Sequence, residues 1–371
     1  MRLSTVHPPI PSHILEALAD CGINSDTDLL FTNGTPSDIF LKLPQDSPIT
    51  LLEISETVDT VIAFTSAPMF RGDKFLESQN TQWEKMEESG IGLNSGVKAV
   101  DELVGGFGTH KVIEISGDRG CGKTLLTLQI VLRHLSSDSN SSVVWVDTTG
   151  EFPSETLPSA MKPLSDQPEI DSALERLQIS LAFELEPLQD ILDMIRNSYS
   201  VRSSPTGCVQ VYADLSCVYS RPSQSNAESA IRCLVIDSIT PLFRPLLSVV
   251  SSQGHAIMIT FMRQLRALAE MCSLTIIVIN STSAAIPRNT LSAFTSTTRK
   301  PALGPSYTYM TDTTLWLSKW GGQPEDVDMD ANIAESVELG TLFVAEILRS
   351  RMTKSRTWCP FRIKDGVLVD A

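Results

Sequence analysis

The segment of the chain that decides its fold reads Gly117-Asp118-Arg119-Gly120-Cys121-Gly122-Lys123-Thr124. It matches the pattern G-x-x-x-x-G-K-[ST], which forms a loop between a buried β-strand and the first turn of an α-helix. An apolar run that ends at Ile115 comes before it, and residues 125–135 after it have a helical pattern. The surrounding sequence therefore predicts the strand, the loop and the helix that this motif requires.

The residue types in this loop suit the binding of nucleotide phosphates. The glycines allow backbone N–H groups to converge on the phosphates, and the N-terminus of the following helix adds positive potential. Lys123 is expected to reach the β- and γ-phosphate oxygens, and the hydroxyl group of Thr124 to bind Mg²⁺. We therefore predict that ATP and Mg²⁺ are cofactors, and that the whole loop contacts the nucleotide.

A loop of this kind needs a second acidic residue on a neighbouring strand, where it holds the hydrated Mg²⁺. The segment Cys233-Leu234-Val235-Ile236-Asp237-Ser238 is an apolar strand that ends in a carboxylate, so Asp237 is predicted to have this role. Similar apolar runs, separated by helix-length segments, lie at residues 112–115, 143–146, 177–181, 234–236 and 274–279. This alternation predicts an α/β fold with a mostly parallel sheet and helices on both faces.

The length of 371 residues allows two domains. We predict a small helical N-terminal domain at residues 1–72, a polar linker at residues 73–89, and an ATP-binding core at residues 90–371. Two segments of the core interrupt the strand and helix pattern, a serine-rich one at about residues 198–228 and an acidic one at about residues 321–338. Both are predicted to be surface insertions.

The overall charge limits how the chain can contact nucleic acid. A net charge of −15 and a pI of about 4.8 lack the basic excess of an autonomous nucleic-acid-binding protein. Any DNA contact is therefore expected to come from a local patch or from a partner. The seven cysteines contain no C-x-x-C pair and no zinc spacing, which predicts a reducing, intracellular location. We expect neither secretion nor membrane insertion, since no stretch approaches the roughly 18 apolar residues of a membrane span.

Several segments have an order and spacing that point to a known family. They are Gly90-Ile91-Gly92, Val100-Asp101-Glu102-Leu103, Gly105-Gly106, Glu114-Ile115, Trp145-Val146-Asp147-Thr148, Arg176-Leu177-Gln178, Ala182-Phe183, Val235-Ile236-Asp237-Ser238, Ile279-Asn280 and Lys300-Pro301-Ala302-Leu303-Gly304. The chain resembles the RecA-type recombinase family from about residue 90 to its end, and it is most similar to the D-type paralogue of the eukaryotic strand-exchange recombinase. The resemblance implies an N-terminal helical domain, a RecA-like core that binds ATP, and association with other recombinase paralogues. It also implies a nuclear role in the homologous-recombination repair of DNA double-strand breaks.

Two positions depart from the pattern of active recombinases. Those proteins place a glutamate just after the strand at residues 143–146, where it orients the attacking water, but this chain has Thr149 there. They also carry a glutamine where this chain has Leu125. A threonine cannot act as a carboxylate base, so we predict that ATP is bound well and hydrolysed slowly.

The nearest acidic residue that could replace the missing base is Glu151. It lies beyond Gly150, about 6 to 7 Å from Thr149 if the chain is extended. A bend at Gly150 could instead return Glu151 to the attacking water. Lys123 and Glu151 are therefore the candidate catalytic residues.

Two loops of the core are expected to face DNA on the basis of the resemblance, at about residues 244–254 and 281–300. The second loop holds the side chains that we predict to contact single-stranded DNA, namely Arg288, Phe294, Arg299 and Lys300. Basic side chains bind phosphates and an aromatic ring stacks on a base. Taken alone, this composition also fits plain solvated surface. We expect a DNA contact that is made within a complex.

A further segment, Phe64-Thr65-Ser66-Ala67, resembles the F-x-x-A hook by which members of the family dock on the next subunit. The alternative interpretation is a structural phenylalanine that ends the last helix of the small domain.

The leading hypothesis is a nucleotide-gated subunit of a hetero-oligomer of recombinase paralogues, with weak ATP hydrolysis. The first alternative is an active DNA-dependent ATPase that exchanges strands itself, which requires a working base and a stronger DNA surface. The second alternative is a P-loop kinase, which requires arginines in a lid that closes over the phosphates.

Overall fold

The structure is a computed structural model. It describes residues 2–6, 8–44, 48–66, 71–73, 92–157, 167–203, 230–247, 252–320, 341–364 and 366–371. Most of the predicted linker, Ala67 of the predicted hook, most of the serine-rich insertion and all of the acidic insertion lie outside the described residues.

One large sheet forms the centre of the core, with the strand order β11-β10-β9-β8-β1-β5-β4-β2-β3. Its strands are β1 (Lys111–Gly117), β2 (Ser141–Asp147), β3 (Leu177–Leu181), β4 (Ala230–Asp237), β5 (Thr275–Asn280), β8 (Thr313–Lys319), β9 (Thr341–Ser350), β10 (Trp358–Lys364) and β11 (Val367–Asp370). The strands from β8 to β3 in this order pair in parallel, and β8 to β11 pair antiparallel. The mostly parallel sheet is confirmed. β6 (Thr282–Ala284) and β7 (Arg299–Pro301) form a separate antiparallel pair.

Helices cover both faces of this sheet, as predicted. The described helices are α1 (Ser12–Asp20), α2 (Pro36–Lys42), α3 (Leu51–Thr65), α4 (Lys98–Val104), α5 (Lys123–Ser137), α6 (Gln167–Glu175), α7 (Leu185–Ser203), α8 (Thr240–Phe243), α9 (Gln253–Met271) and α10 (Pro305–Thr308). On one face α4, α5 and α6 pack against alternate strand residues such as Trp145 and Val235. On the other face α7, α8 and α9 pack against their neighbours, such as Val144 and Ile236. This alternation follows from the two-residue period of a strand, and it buries β2 and β5 along their whole length.

The N-terminal helices have a hydrophobic cluster of their own, built from residues such as Ile14, Leu18 and Ile54. Both α2 and α3 begin with a capping box, in which a threonine and an acidic residue three positions later satisfy each other's backbone N–H groups. A helical N-terminal unit is therefore present. The boundaries predicted near residues 72 and 89 remain predictions.

A single arginine joins the end of α5 to the start of β2. The guanidinium group of Arg176 donates hydrogen bonds to the backbone carbonyl oxygens of Leu135 (2.6 Å), Asp138 (2.7 Å) and Ser141 (2.9 Å). Leu135 lies in the last turn of α5, where carbonyl groups lack partners within the helix, so Arg176 supplies a donor that the helix itself cannot. Arg176 thereby holds the end of α5 in a fixed position relative to the start of β2.

We predict that Arg176→Met lowers the free energy of unfolding by about 2 kcal/mol, because several partly buried carbonyl groups lose a charged donor. Urea unfolding of the purified protein measures this. The control is Arg133→Met on α5, since Arg133 makes one described hydrogen bond, to the exposed side chain of Asn94. It should change the unfolding free energy by no more than about 0.5 kcal/mol. Equal effects of the two substitutions would contradict the capping role.

Candidate nucleotide-binding site

The predicted loop lies between β1 and α5, as the motif required. Gly117 ends β1, and a Cβ atom at this position would lie 2.2 Å from the carbonyl oxygen of Leu317 in β8. Only glycine fits at this close approach. Gly122 caps the N-terminus of α5 with a φ of 82°, in the left-handed region that glycine adopts without strain. The backbone therefore turns sharply at both ends of the loop.

Lys123 and Thr124 are the first two residues of α5. The Nζ atom of Lys123 donates hydrogen bonds to the carbonyl oxygens of Gly117 (2.8 Å) and Asp118 (2.9 Å), so the side chain lies across the loop. Burial lowers the pKa of Lys123. The hydroxyl group of Thr124 donates a hydrogen bond of 3.0 Å to an Oδ atom of Asp237. The two predicted Mg²⁺ ligands, which are 113 positions apart in the chain, are therefore adjacent in space.

Asp237 ends β4, directly beside Asp147 at the end of β2. Burial raises the pKa of Asp237 to about 6, and the hydrogen bond from Thr124 opposes this rise. The negative charges of Asp147 and Glu151 raise this pKa further, while the ammonium group of Lys123 lowers it. A buried carboxylate beside like charges favours a bound cation, which is the property that a Mg²⁺ ligand needs.

The loop after β2 is organised by the carboxylate of Asp147. It accepts hydrogen bonds from the backbone N–H groups of Thr149 (2.8 Å), Gly150 (2.9 Å) and Phe152 (2.9 Å), and from the Thr149 hydroxyl group (3.0 Å). Gly150 has a φ of 75°, so the chain turns there instead of running extended to Glu151. The exposed carboxylate of Glu151 acts on the pKa of Asp237. The bend that the sequence left open is present, and the catalytic role of Glu151 remains a prediction.

The loops after β2 and β4 are held to each other by one side chain. The hydroxyl group of Thr148 donates to the carbonyl oxygen of Ser238 (2.6 Å) and accepts from the N–H group of Ser238 (2.9 Å). The backbone N–H group of Thr148 also donates to the carbonyl oxygen of Asp237. The position of Asp237 is thereby fixed relative to the loop that carries Glu151.

The other loop residues have distinct surroundings. The Asp118 carboxylate forms an ion pair with Arg299, in which an Oδ atom lies 2.7 Å from the Nε atom of the arginine. Cys121 is buried, and burial raises the pKa of its thiol, so its backbone is the part that can face a ligand. Arg119 and Asp118 line a cleft of about 390 Å³ that Trp320 also lines. The sequence did not anticipate the contact between Asp118 and Arg299.

The residues predicted to contact DNA fall in two places. Arg299 lines the cleft beside Asp118, whereas Arg288 and Lys300 line a second cleft of about 300 Å³ together with Tyr309. Phe294 is only 8% exposed, and its ring centroid lies 5.4 Å from that of Trp358. The ring is buried in this structure and does not face solvent, so the predicted stacking of Phe294 on a base remains a prediction that would require the ring to move out.

Two further features bear on partner contacts. Phe64, the first residue of the predicted hook, is 38% exposed at the end of α3, and the hook remains a prediction. β3 is an edge strand of the sheet, and Ile179, Leu181 and Phe183 on or beside it are exposed by 45%, 56% and 59%. The sequence showed an apolar run at residues 177–181 but not that, among the described residues, the side chains of Ile179 and Leu181 are exposed.

The described part of the chain also bears on two other features, a membrane-spanning helix and a cluster of metal ligands. Within it, no helix has both the length and the apolar character needed to cross a membrane. It also holds no cluster of three or more His, Cys, Asp or Glu residues arranged for a metal ion. Mg²⁺ in nucleotide sites uses one or two protein ligands together with phosphates and waters, so Thr124 and Asp237 are a sufficient set.

The chain is similar to ATPases and to DNA repair proteins. The family described as "ATPase: KaiC" matches residues 93–298. The chain is 26% identical over 237 residues to DNA repair protein RAD51 homolog 4 of Bos taurus, a match that covers 63% of this chain and 64% of that protein. It is 31% identical over 107 residues to the DNA repair and recombination protein RadB of Pyrococcus furiosus, covering 28% of this chain and 44% of that protein. The match therefore spans less than two thirds of the bovine relative's length.

A solved structure shares the fold. The crystal structure of the RadB recombinase aligns with a TM-score of 0.51 and 20% sequence identity, and the alignment covers 75% of this chain and 99% of that one. This likeness, the family match over more than half of the chain and the geometry of the loop agree with the resemblance found in the sequence. The chain belongs to the ATPase family described as KaiC, and its core has the RecA-like fold of the RadB recombinase structure.

Proposed function

We propose that this chain binds ATP with Mg²⁺ and acts as a nucleotide-gated subunit in homologous-recombination repair of DNA double-strand breaks in the nucleus. The observation that carries the proposal is the contact between Thr124 and Asp237, which joins the phosphate-binding loop to the acidic end of β4. The names of the relatives, which include DNA repair and recombination proteins, support the repair role.

The residues of the site fit this ligand. Gly120 has open space where a side chain would stand, which lets the backbone N–H groups of the loop face phosphate oxygens, and the N-terminus of α5 adds positive potential. Thr124 and Asp237 would hold the Mg²⁺, and the ammonium group of Lys123 would bind the β- and γ-phosphates. When bound, Mg-ATP supplies a strong local charge that can order the loops after β2 and β4.

Weak hydrolysis follows from the loop after β2. The Asp147 carboxylate accepts four hydrogen bonds from this loop and is therefore committed to holding it. Thr149 stands at the position of the base in active relatives, and it has no carboxylate. Glu151 is the remaining candidate, since the turn at Gly150 keeps its charge close enough to act on Asp237.

Association with another RecA-like subunit is supported by the edge of the sheet. The outer side of β3 is unpaired in the described structure, and an unpaired strand can accept a strand from another chain. The exposed side chains of Ile179, Leu181 and Phe183 add an apolar surface at the same edge. A partner that supplies both a strand and apolar side chains would cover this surface.

Contact with single-stranded DNA is proposed within such a complex. Arg288, Arg299 and Lys300 are the candidate residues, and Phe294 could join them only after leaving its buried position. The net charge of −15 argues that a partner contributes most of the basic surface.

The alternative function is an active DNA-dependent ATPase that exchanges strands itself. The turn at Gly150 favours it, because this turn is what a working Glu151 would need. The kinase alternative has no comparable support, since Arg119 and Arg288 line two different clefts and do not meet over the loop.

We predict that Asp237→Asn separates folding from ligand binding. The substitution removes a partly buried negative charge. The free energy of unfolding without ligand should therefore stay equal or rise by up to about 3 kcal/mol, and the melting temperature should follow it. The rise in melting temperature that Mg-ATP produces in the wild type should be lost. Thermal unfolding with and without Mg-ATP measures both effects. Asp20→Asn, an exposed carboxylate on α1, is the control and should keep the shift. A full Mg-ATP shift in Asp237→Asn would exclude Asp237 as a ligand.

We predict slow ATP turnover that single-stranded DNA does not raise, together with tight ATP binding. The assay is ATP hydrolysis and ATP binding on the same protein, with Lys123→Ala as the variant that should lose both. Glu151→Gln should have little effect on turnover, and Glu155→Gln, on the same loop, is its matched control. Turnover that rises strongly with DNA and disappears only in Glu151→Gln would replace the subunit hypothesis with the active-ATPase one.

We predict that Leu181→Glu weakens association with the partner subunit by about tenfold or more, because a charge replaces an apolar anchor at the interface. The unfolding free energy of the chain itself should change by no more than about 0.5 kcal/mol, since Leu181 is 56% exposed. Co-expression with each other RecA-like recombinase paralogue of the source organism, followed by affinity measurement, tests this. Met271→Glu, an apolar residue 53% exposed on α9, is the control. If both variants bind equally well, β3 is not the docking edge.

A further inference from the structure

The loop between β6 and β7 is folded back on the sheet and held there by a buried carboxylate. Glu346 lies in the middle of β9, opposite Trp316 of β8 and Trp358 of β10, and it is 1% exposed. One of its carboxylate oxygens accepts a hydrogen bond of 2.7 Å from the hydroxyl group of Ser292. The other oxygen accepts a hydrogen bond from the backbone N–H group of Ala293.

This arrangement makes Glu346 depend on the loop. A buried carboxylate without partners is strongly unfavourable, and burial raises the pKa of Glu346 while the two hydrogen bonds from the loop lower it. Both hydrogen bonds described for the carboxylate come from the loop, so the sheet alone does not satisfy it. The charge of Arg356 compensates it further. The loop and the carboxylate therefore stabilise each other.

Two more contacts close the loop at the same place. The guanidinium group of Arg356 donates a hydrogen bond of 3.3 Å to the carbonyl oxygen of Ser292. The ring of Phe294 packs on Trp358, which in turn lies 5.8 Å from Trp320. The aromatic side chain that could reach a nucleobase is thus held inside by the residues that flank Glu346.

The loop also behaves as one folded unit. The backbone N–H group of Asn289 donates to the carbonyl oxygen of Thr297, and that of Thr297 donates to the carbonyl oxygen of Phe294. The N–H group of Phe294 donates to the Ser292 hydroxyl group. These bonds lie within the loop, so opening of the loop from the sheet does not have to break them. The cleft of about 390 Å³ beside Phe294 and Trp316 would then admit water to the carboxylate.

We propose that Glu346 is a latch that holds residues 289–297 closed on the sheet and keeps Phe294 from the surface. Opening of this loop exposes Phe294, which follows Arg288 by six positions in the sequence. The use of the open loop for single-stranded DNA rests on the proposed function, whereas the latch itself concerns this chain alone.

The test is amide hydrogen exchange of the full chain. Glu346→Gln keeps the shape of the side chain but removes its charge and leaves one oxygen for two donors. We expect the amides of residues 289–297 to exchange about tenfold faster, the size of effect that losing one charge-assisted hydrogen bond produces. Ser292→Ala removes a donor from the loop side and should act in the same direction, without altering the sheet.

The control is Glu114→Gln, the same substitution of a fully buried carboxylate in β1. Glu114 accepts hydrogen bonds from Ser116, Asn280 and Thr314, and none of these belongs to residues 289–297. Its exchange effect should be confined to its own strands. Unchanged loop exchange in Glu346→Gln and Ser292→Ala, or an increase spread equally over the sheet, would overturn the latch.

A second readout separates the latch from the proposed DNA contact. If the proposed DNA contact holds, Glu346→Gln should bind a single-stranded oligonucleotide several-fold more tightly than the wild type, and Phe294→Ala in the same background should remove the gain. Faster loop exchange without any gain in affinity would support the latch and contradict the proposed DNA contact of this loop.

Discussion

Parallel pairing of β1, β5, β4 and β2 is the constraint on which the rest of this structure depends. Parallel strands in register end at the same edge of the sheet, so Asp147 and Asp237 become neighbours although 90 positions separate them. The end of β1 reaches the same edge and continues into the loop before Lys123. The phosphate-binding loop and its acidic partners therefore meet because the sheet is parallel, without any further device.

Three carboxylates of this sheet have different tasks because their hydrogen-bond partners differ. Asp147 receives its hydrogen bonds from the loop that follows it, and it shapes that loop. Asp237 receives one from Thr124 and stays beside like charges, which suits a cation. Glu346 receives its hydrogen bonds from a segment more than 50 positions away and ties that segment to the sheet. The same chemical group therefore organises a loop at Asp147, offers a metal ligand at Asp237 and holds a hairpin on the sheet at Glu346.

The same sheet separates the surfaces that the proposed function needs. β3 ends it on one side with exposed apolar side chains, while the antiparallel strands β8 to β11 extend it on the other side and support the hairpin of β6 and β7. The phosphate-binding loop is tied to this hairpin by the ion pair between Asp118 and Arg299. A partner on β3, a nucleotide at the loop and a change in the hairpin would therefore all act on elements connected to the same sheet.

The sequence by itself determined the loop and the five core strands, because each rests on a run of contiguous residues. It proposed Thr124 and Asp237 as partners from the chemistry that a Mg²⁺ site needs, and the parallel sheet brings the two side chains together. The sequence also raised the turn at Gly150 as an alternative, since glycine is the residue that permits one. Only the tertiary structure decided that Phe294 is buried, that Arg299 contacts Asp118 and that β3 lies at the edge of the sheet formed by the described strands. Each of these outcomes depends on which segments from distant parts of the sequence pack against a side chain. The residues that neighbour it in the sequence carry no information about that packing.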